Sequence, residues 1–222
     1  MPNLNENLIA DLVGQKVVTD TFRRLHPEKK VQVYRAGIRL FGTYGYDGLS
    51  VDRICTECAI SKGSFFQYFP SKTNLLEFVL ILFDDYVAQW VVEVHRRETA
   101  ALARDRLLYL YHELIINSKL YRAEQTFYLF ATRGLNHAGV EIEGIDPERH
   151  FREYIAEIIA RGEQTGEIRG DFEVDLTSHL VALIIDAIVG RQFSSRKSWG
   201  RPMPASQVGE YLISFLFDGI KA

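Results

Sequence analysis

The sequence predicts an all-α protein. Apolar residues recur at spacings of three and four along most of the 222-residue chain. No segment of useful length alternates with period 2, so no sheet is expected. Six prolines leave room for long uninterrupted helices. A hydrophobic content of 47% supplies a substantial core and argues against overall disorder.

The elements follow in order. Leu4, Leu8 and Leu12 could form a short helix, but Gly14 and the lack of a second periodic face leave residues 1–26 as an arm, either disordered or a short extra helix. Pro27 then stands where a first helical residue belongs, with Glu28 in the first turn. Val31, Tyr34, Ile38 and Phe41 mark one face of that helix, and Gly42, Gly45 and Gly48 end it. Ser50 can cap the next helix, whose inner face is Val51, Ile54, Cys55 and Cys58. Ala59 and Ile60 make a tight turn and Ser61 caps the following helix, with Phe65 and Phe69 inward. Pro70 forces a stop, and Ser71 caps a long helix to about Arg97, roughly 40 Å at the α-helical rise. That helix is apolar on several sides and should lie inside the protein. Further helical periods cover about 101–118, 123–136, 146–164, 174–194 and 206–219, with a loop over 194–205. No repeat of 20–50 residues is present.

Short helix, tight turn, short helix is the grammar of a helix-turn-helix, whose second helix lies in a DNA major groove. Residues 27–72 are read as this domain and 73–222 as a helical body. The net charge of −3 disfavours nucleic acid at first sight, but it is unevenly spread. Between His26 and Lys72 seven Lys and Arg face four Asp and Glu, an excess of three positives. A basic head on an acidic body fits phosphate contact at one end.

On the outer face of the 62–68 helix, Lys62 can neutralise a phosphate and Ser64 can bond a phosphate or a base edge. Gln67 offers a donor and an acceptor together, which suits adenine. Phe66 can pack on a thymine methyl, and Gly63 lets backbone approach closely. Ser50, Ser61 and Lys72 stand at helix starts, and Ser50 and Lys72 can clamp phosphates on either side. Tyr68 completes the candidate DNA-contacting set. The bland alternative is an ordinary solvated helix face.

The stretch FGTYGYDGLSVDRICTECAISKGSFFQYFPSKTNLL, residues 41–76, resembles the TetR family of transcriptional repressors. Gly45, Tyr46, Gly48, Ser50, Val51, Ile54, Ser61, Gly63, Tyr68, Phe69 and Lys72 fall on the family's pattern. Cys58-Ala59 departs from the frequent Ala-Gly, Phe66 from a frequent tyrosine, and Gln67 from His, Asn or Trp. The resemblance implies a palindromic double-stranded DNA operator, a homodimer and a C-terminal domain that binds ligand and dimerises. It also implies release by a small apolar or aromatic ligand. Trp90, Tyr111, Ile115, Phe127, Phe130 and Leu135 are candidates to line the ligand chamber, with a plain core as the alternative. GEIRGDFEVDLTSHLVALIIDAIVG looks like part of the dimer face, and Phe151, Ile155, Ile158, Leu180, Ile184 and Ile188 are its candidate residues.

Cys55 and Cys58 form a C-x-x-C, but a lone pair without further ligands does not make a zinc site, and its inner-face position reads as packing. Asp186 interrupts an apolar run and must find a partner. His112, His137 and Arg133 could address a polar ligand head, with structural roles as the alternative. No nucleophile elbow, phosphate-cradling loop or His-Glu metal helix is present, so neither an enzyme nor a cofactor is expected. No signal peptide or membrane-length apolar run is seen, and two cysteines fit a reducing, cytoplasmic setting. A rival reading is a helical sensor or carrier of lipophilic ligands without DNA binding.

Overall fold

The computed structural model describes residues 4, 6–135, 142, 144–193 and 203–220. Eleven α-helices and one π-helical turn account for its regular structure among these residues, and no strand occurs among them. The chain divides into two compact units, residues 1–87 with 123–147, and residues 88–122 with 148–222.

The first unit opens with α1 (Glu6–Gly14) and α2 (Asp20–Arg23). The arm thus carries two short helices. Ile9, Leu12, Val17, Val18 and Phe22 are all buried. Lys30, itself buried on α3 (Pro27–Tyr44), reaches Glu6 at 3.5 Å. Gly42 does not end α3 but sits inside it, because a Cβ there would lie 2.9 Å from the Phe127 backbone nitrogen. Gly37 plays the same part toward α6 (Lys72–Arg97), where a Cβ would meet a Val79 methyl at 2.4 Å. α3 ends instead at Gly45, whose φ of 67° suits glycine.

α4 (Val51–Cys58) and α5 (Lys62–Tyr68) complete the helix-turn-helix. Beneath them lies a cluster of phenyl rings. Phe22 stands 5.0 Å from both Phe69 and Phe78, and Phe69 stands 5.6 Å from Phe78. α8 (Arg122–Leu129) adds Phe127, 5.0 Å from Phe83. The helix expected over 123–136 changes character after Leu129. Residues Phe130–Gly134 form a π-turn closed by the Leu135 amide donating to the Phe130 carbonyl. Phe130 stacks on Phe41 at 6.1 Å.

In the second unit α7 (Ala103–Leu120) packs against α9 (Arg149–Thr165), α10 (Val174–Phe193) and α11 (Ala205–Ile220). α9 stops at Gly166 in the left-handed region, φ 77°. Glu167 then turns back to accept the Ala103 amide at 2.9 Å, satisfying a donor at the start of α7. The buried Arg106 guanidinium meets Glu98 at 2.6 Å, and Glu98 also accepts the Ala100 amide. Glu98, with Glu157 at 3.6 Å, offsets the cost of burying this charge, while Arg106 Nη1 is buried without a hydrogen-bond partner. α6 runs without a break through the division between units, at Val87 and Ala88.

Candidate nucleic-acid interface

α4 starts at Ser50, whose side chain accepts the Arg53 amide at 3.3 Å. It ends at Ala59 with φ 50° and ψ 53°. This is the left-handed conformation that alanine adopts at a cost of about 1–2 kcal/mol. The turn is held from outside by Lys29, which donates to the Cys58 carbonyl at 2.8 Å. Cys55 and Cys58 are buried, and burial raises both thiols above the ordinary range, Cys58 to about 11. Burial of this kind makes a thiol a poorer nucleophile, and both side chains fill the inner face of α4.

α5 begins with Ser61 accepting the Ser64 amide at 3.0 Å, and the two hydroxyls meet at 2.9 Å. Phe65 is wholly buried and anchors the helix to the core. On the other side Lys62, Gly63, Phe66 and Gln67 are exposed, with Ser64 and Tyr68 half-buried. Phe66 is 49% exposed, a large apolar group that no neighbour covers fully. A Cβ on Gly63 would meet only Ser61 Oγ, at 3.7 Å. Nothing inside the protein demands glycine there. Lys62 Nζ lies 2.9 Å from Asp52 Oδ1, the first turn of α4 thus facing the first turn of α5. Tyr68 packs edge-on against Phe22, with centroids 6.2 Å apart, so its ring leans toward the arm.

Lys72 occupies a more internal place than a free phosphate clamp. Its Nζ donates to the Tyr46 carbonyl at 2.7 Å and the Leu49 carbonyl at 2.9 Å, and sits 4.0 Å from the Tyr46 ring centroid. Tyr46 Oη also bonds Thr73 Oγ1 at 2.7 Å. Lys72 therefore fixes the loop that presents Ser50, with one donor left over.

A groove of about 400 Å³ beside α4 is lined by Arg39, Thr43, Tyr44, Arg53, Thr56 and Glu57, and none of these was singled out from the sequence. Arg39 pairs with Glu57, and Arg53 lies 4.1 Å over the Tyr44 ring.

The candidates in the body fare differently. Ile155 and Ile158, expected on a dimer face, are 1% and 0% exposed. α9 spends its apolar stripe on α7 and α10, so those two residues are core. Phe151 is half-buried against Trp90, with centroids 5.6 Å apart. An uncovered apolar face lies on α10 and α11, where Leu176, Leu180, Leu183, Ile184, Tyr211 and Phe215 are exposed, Phe215 by 76%. Ile188 is half-buried beside them on α10. Val92, Ile116 and Leu120 are exposed elsewhere in the body.

Of the six expected ligand-lining residues, Phe127, Phe130 and Leu135 belong to the first unit and Trp90, Tyr111 and Ile115 to the second. Tyr111 is wholly buried, donates to the Ala205 carbonyl at 3.1 Å and fills the space opposite Gly209, where a Cβ would lie 2.5 Å from its ring. His112 has a buried Nε2 without a hydrogen-bond partner, whereas Asp186 and Arg133 are engaged. His137 and the 194–202 stretch lie outside the described residues.

A capped two-helix unit with one buried aromatic seam and one polar, cation-bearing face has the form of a helix-turn-helix. Residues 33–79 match the family described as "Bacterial regulatory proteins, tetR family", so this segment is similar to the helix-turn-helix domain of those regulators. It is 32% identical to the HTH-type transcriptional regulator YuxN of Bacillus subtilis over 90 residues, 40% of this chain and 31% of that protein. That match therefore spans less than a third of the relative's length. It is 24% identical to the HTH-type transcriptional repressor AcnR of Corynebacterium jeikeium over 173 residues, 74% of this chain and 81% of the repressor. The fold matches that of AibR, solved in complex with isovaleryl coenzyme A and operator DNA, with TM-score 0.63 and 20% identity over 85% of this chain and 98% of that one. Among the described residues no helix is long and apolar enough to cross a membrane.

Proposed function

We propose that this chain is a homodimeric transcriptional repressor that binds a palindromic operator and is released by a small molecule with an apolar tail. The observation that carries the proposal is the outer face of α5, where Lys62, Gly63, Phe66 and Gln67 stand exposed over the buried Phe65. Lys62 supplies a phosphate contact and Gln67 a two-point base contact. Ser50 and Lys72 flank them, Lys72 chiefly by holding the loop. The repressor sense is supported by the likeness to AcnR. An apolar effector is supported by the acyl-coenzyme A ligand of AibR. Within the second unit, Trp90 is half-buried and keeps side-chain surface for such a ligand, whereas Tyr111 is committed to packing.

Two copies meet through the exposed face of α10 and α11. Leu176, Leu180, Leu183 and Ile184 follow spacings of four, three and one, a single helical stripe, and Tyr211 and Phe215 are one turn apart. Such a stripe in water is unfavourable until covered by a self-complementary partner. A dimer then presents two α5 helices to major grooves about 34–36 Å apart. Because α6 belongs to both units, a ligand that favours one body state would bias α5 spacing through it.

The test is a mobility-shift titration of the full-length protein on a random duplex at several salt concentrations, followed by enrichment of operators from a random library. Affinity that falls steeply with salt, and enriched sites with two-fold symmetry, are expected. No binding at low salt refutes the reading.

A further inference from the structure

We propose that the arm segment 17–23 is a splint for the recognition helix and that Thr19 is a positioning residue for DNA reading; this rests on α5 being the reading element. α5 has only seven residues, far below the length at which a helix holds itself together in water. Its first turn is fixed by Ser61. Its last turn cannot continue, because Pro70 follows Phe69, and its terminal carbonyls need donors from elsewhere.

The arm supplies them. The Thr19 hydroxyl donates to the Gln67 carbonyl at 2.5 Å, and the Thr19 amide donates to the Tyr68 carbonyl at 3.1 Å. The same hydroxyl accepts the Phe22 amide at 3.3 Å, capping α2. One hydroxyl thus joins the end of α5 to the start of α2, using both its donor and an acceptor lone pair. Thr19 is held in place on both sides. Phe22 is wholly buried among Tyr68, Phe69 and Phe78. Val17 and Val18 are buried, and the Lys16 carbonyl accepts from Asn74 Nδ2 at 3.3 Å at the start of α6. The residue whose carbonyl is gripped is Gln67, the side chain best suited to read a base. Fraying of the last turn would swing that side chain away without removing Lys62 from the first turn. The family match begins at residue 33, so this grip is added by sequence outside the matched domain.

The experiment compares parent, Thr19→Val and Thr19→Ser as full-length proteins. Each is titrated on the operator enriched by the parent and on a random duplex of equal length, and deuterium uptake is followed over residues 62–69. Valine keeps the amide and the shape but neither gives nor accepts through the side chain. Thr19→Val should bind the operator about fivefold more weakly, the size of one ordinary hydrogen bond, with random-duplex affinity unchanged. Uptake over 62–69 should rise, and Thr19→Ser should restore both readouts. Operator binding by Thr19→Val equal to the parent, equal losses on both duplexes, or unchanged uptake overturns the splint. A parent that binds neither duplex overturns the DNA-reading function itself and the splint with it, which separates the two failures.

Discussion

Lys62 on α5 and Asp52 on α4 form an ion pair at 2.9 Å across the mouth of the helix-turn-helix, with both side chains mostly in solvent. An exposed pair of this kind contributes only about 0–1 kcal/mol, so a phosphate can take Lys62 from Asp52 at little cost. Lys62→Ala should weaken binding on every duplex and flatten the salt dependence by about one unit. Asp52→Asn should do the opposite, tightening random-duplex binding about two- to fivefold by removing a competitor for the ammonium. Salt-dependent titrations of the two variants check both signs, and an Asp52→Asn protein that binds more weakly contradicts the account.

Gln67 is the base-reading candidate. Gln67→Ala should relax operator choice at one symmetric pair of positions by about 1–3 kcal/mol while leaving random-duplex affinity nearly intact. Operators enriched by parent and variant provide the comparison. Equal stringency in both selections would shift base reading to Ser64, Phe66 or DNA shape.

Lys72 is tied to two carbonyls and an aromatic face, so its loss should be felt in folding as well as in binding. Lys72→Ala should lower stability by about 1.5–3 kcal/mol, the range for hydrogen bonds made by a charged donor. The urea midpoint measures this. A variant as stable as the parent but with a flattened salt slope would make Lys72 a phosphate clamp only.

Ala59 carries backbone strain that glycine would not. Ala59→Gly should relieve it, less the extra freedom of glycine in the unfolded chain, for a net gain of about 0.5–1 kcal/mol. A lower urea midpoint for Ala59→Gly would mean that the left-handed turn is not where the strain lies.

The two apolar stripes of the body predict opposite phenotypes. Leu180→Glu with Phe215→Glu alters exposed positions and should yield folded monomers by light scattering, with helical content preserved. Ile158→Glu places a charge in a sealed core and should unfold the second unit. Dimers persisting in the double variant would move the interface off α10 and α11.

The helix-turn-helix was legible because its signals are local. Ser50, Ser61 and Pro70 act within three or four residues of themselves, and the observed caps and stop fall where their chemistry puts them. The arm was not legible, because Leu12, Val17, Val18 and Phe22 straddle two short helices and a turn in which Lys16 has φ 61°. No single period connects such residues. The body helices were found by periodicity, but periodicity reports that a face is buried and not what buries it. Hence Ile158 and Leu180 looked alike in the sequence, although one is core and the other faces solvent. Gly42 looked like a helix terminator because its partner, the Phe127 backbone, is more than eighty residues away.

That distance has a consequence for synthesis. The unit carrying α5 is discontinuous in the chain: Phe127 and Phe130 come from residues 123–147, beyond an intervening stretch that belongs to the other unit. When residue 87 leaves the ribosome, Phe41 and Phe83 still lack the rings that cover them. The missing piece is made only after some forty further residues, an interval of about 2–8 s at common elongation rates. During that interval a nascent chain holds the whole helix-turn-helix sequence yet lacks the rings that close the core beneath it, so the unit carrying α5 is completed only after translation has passed well into the body.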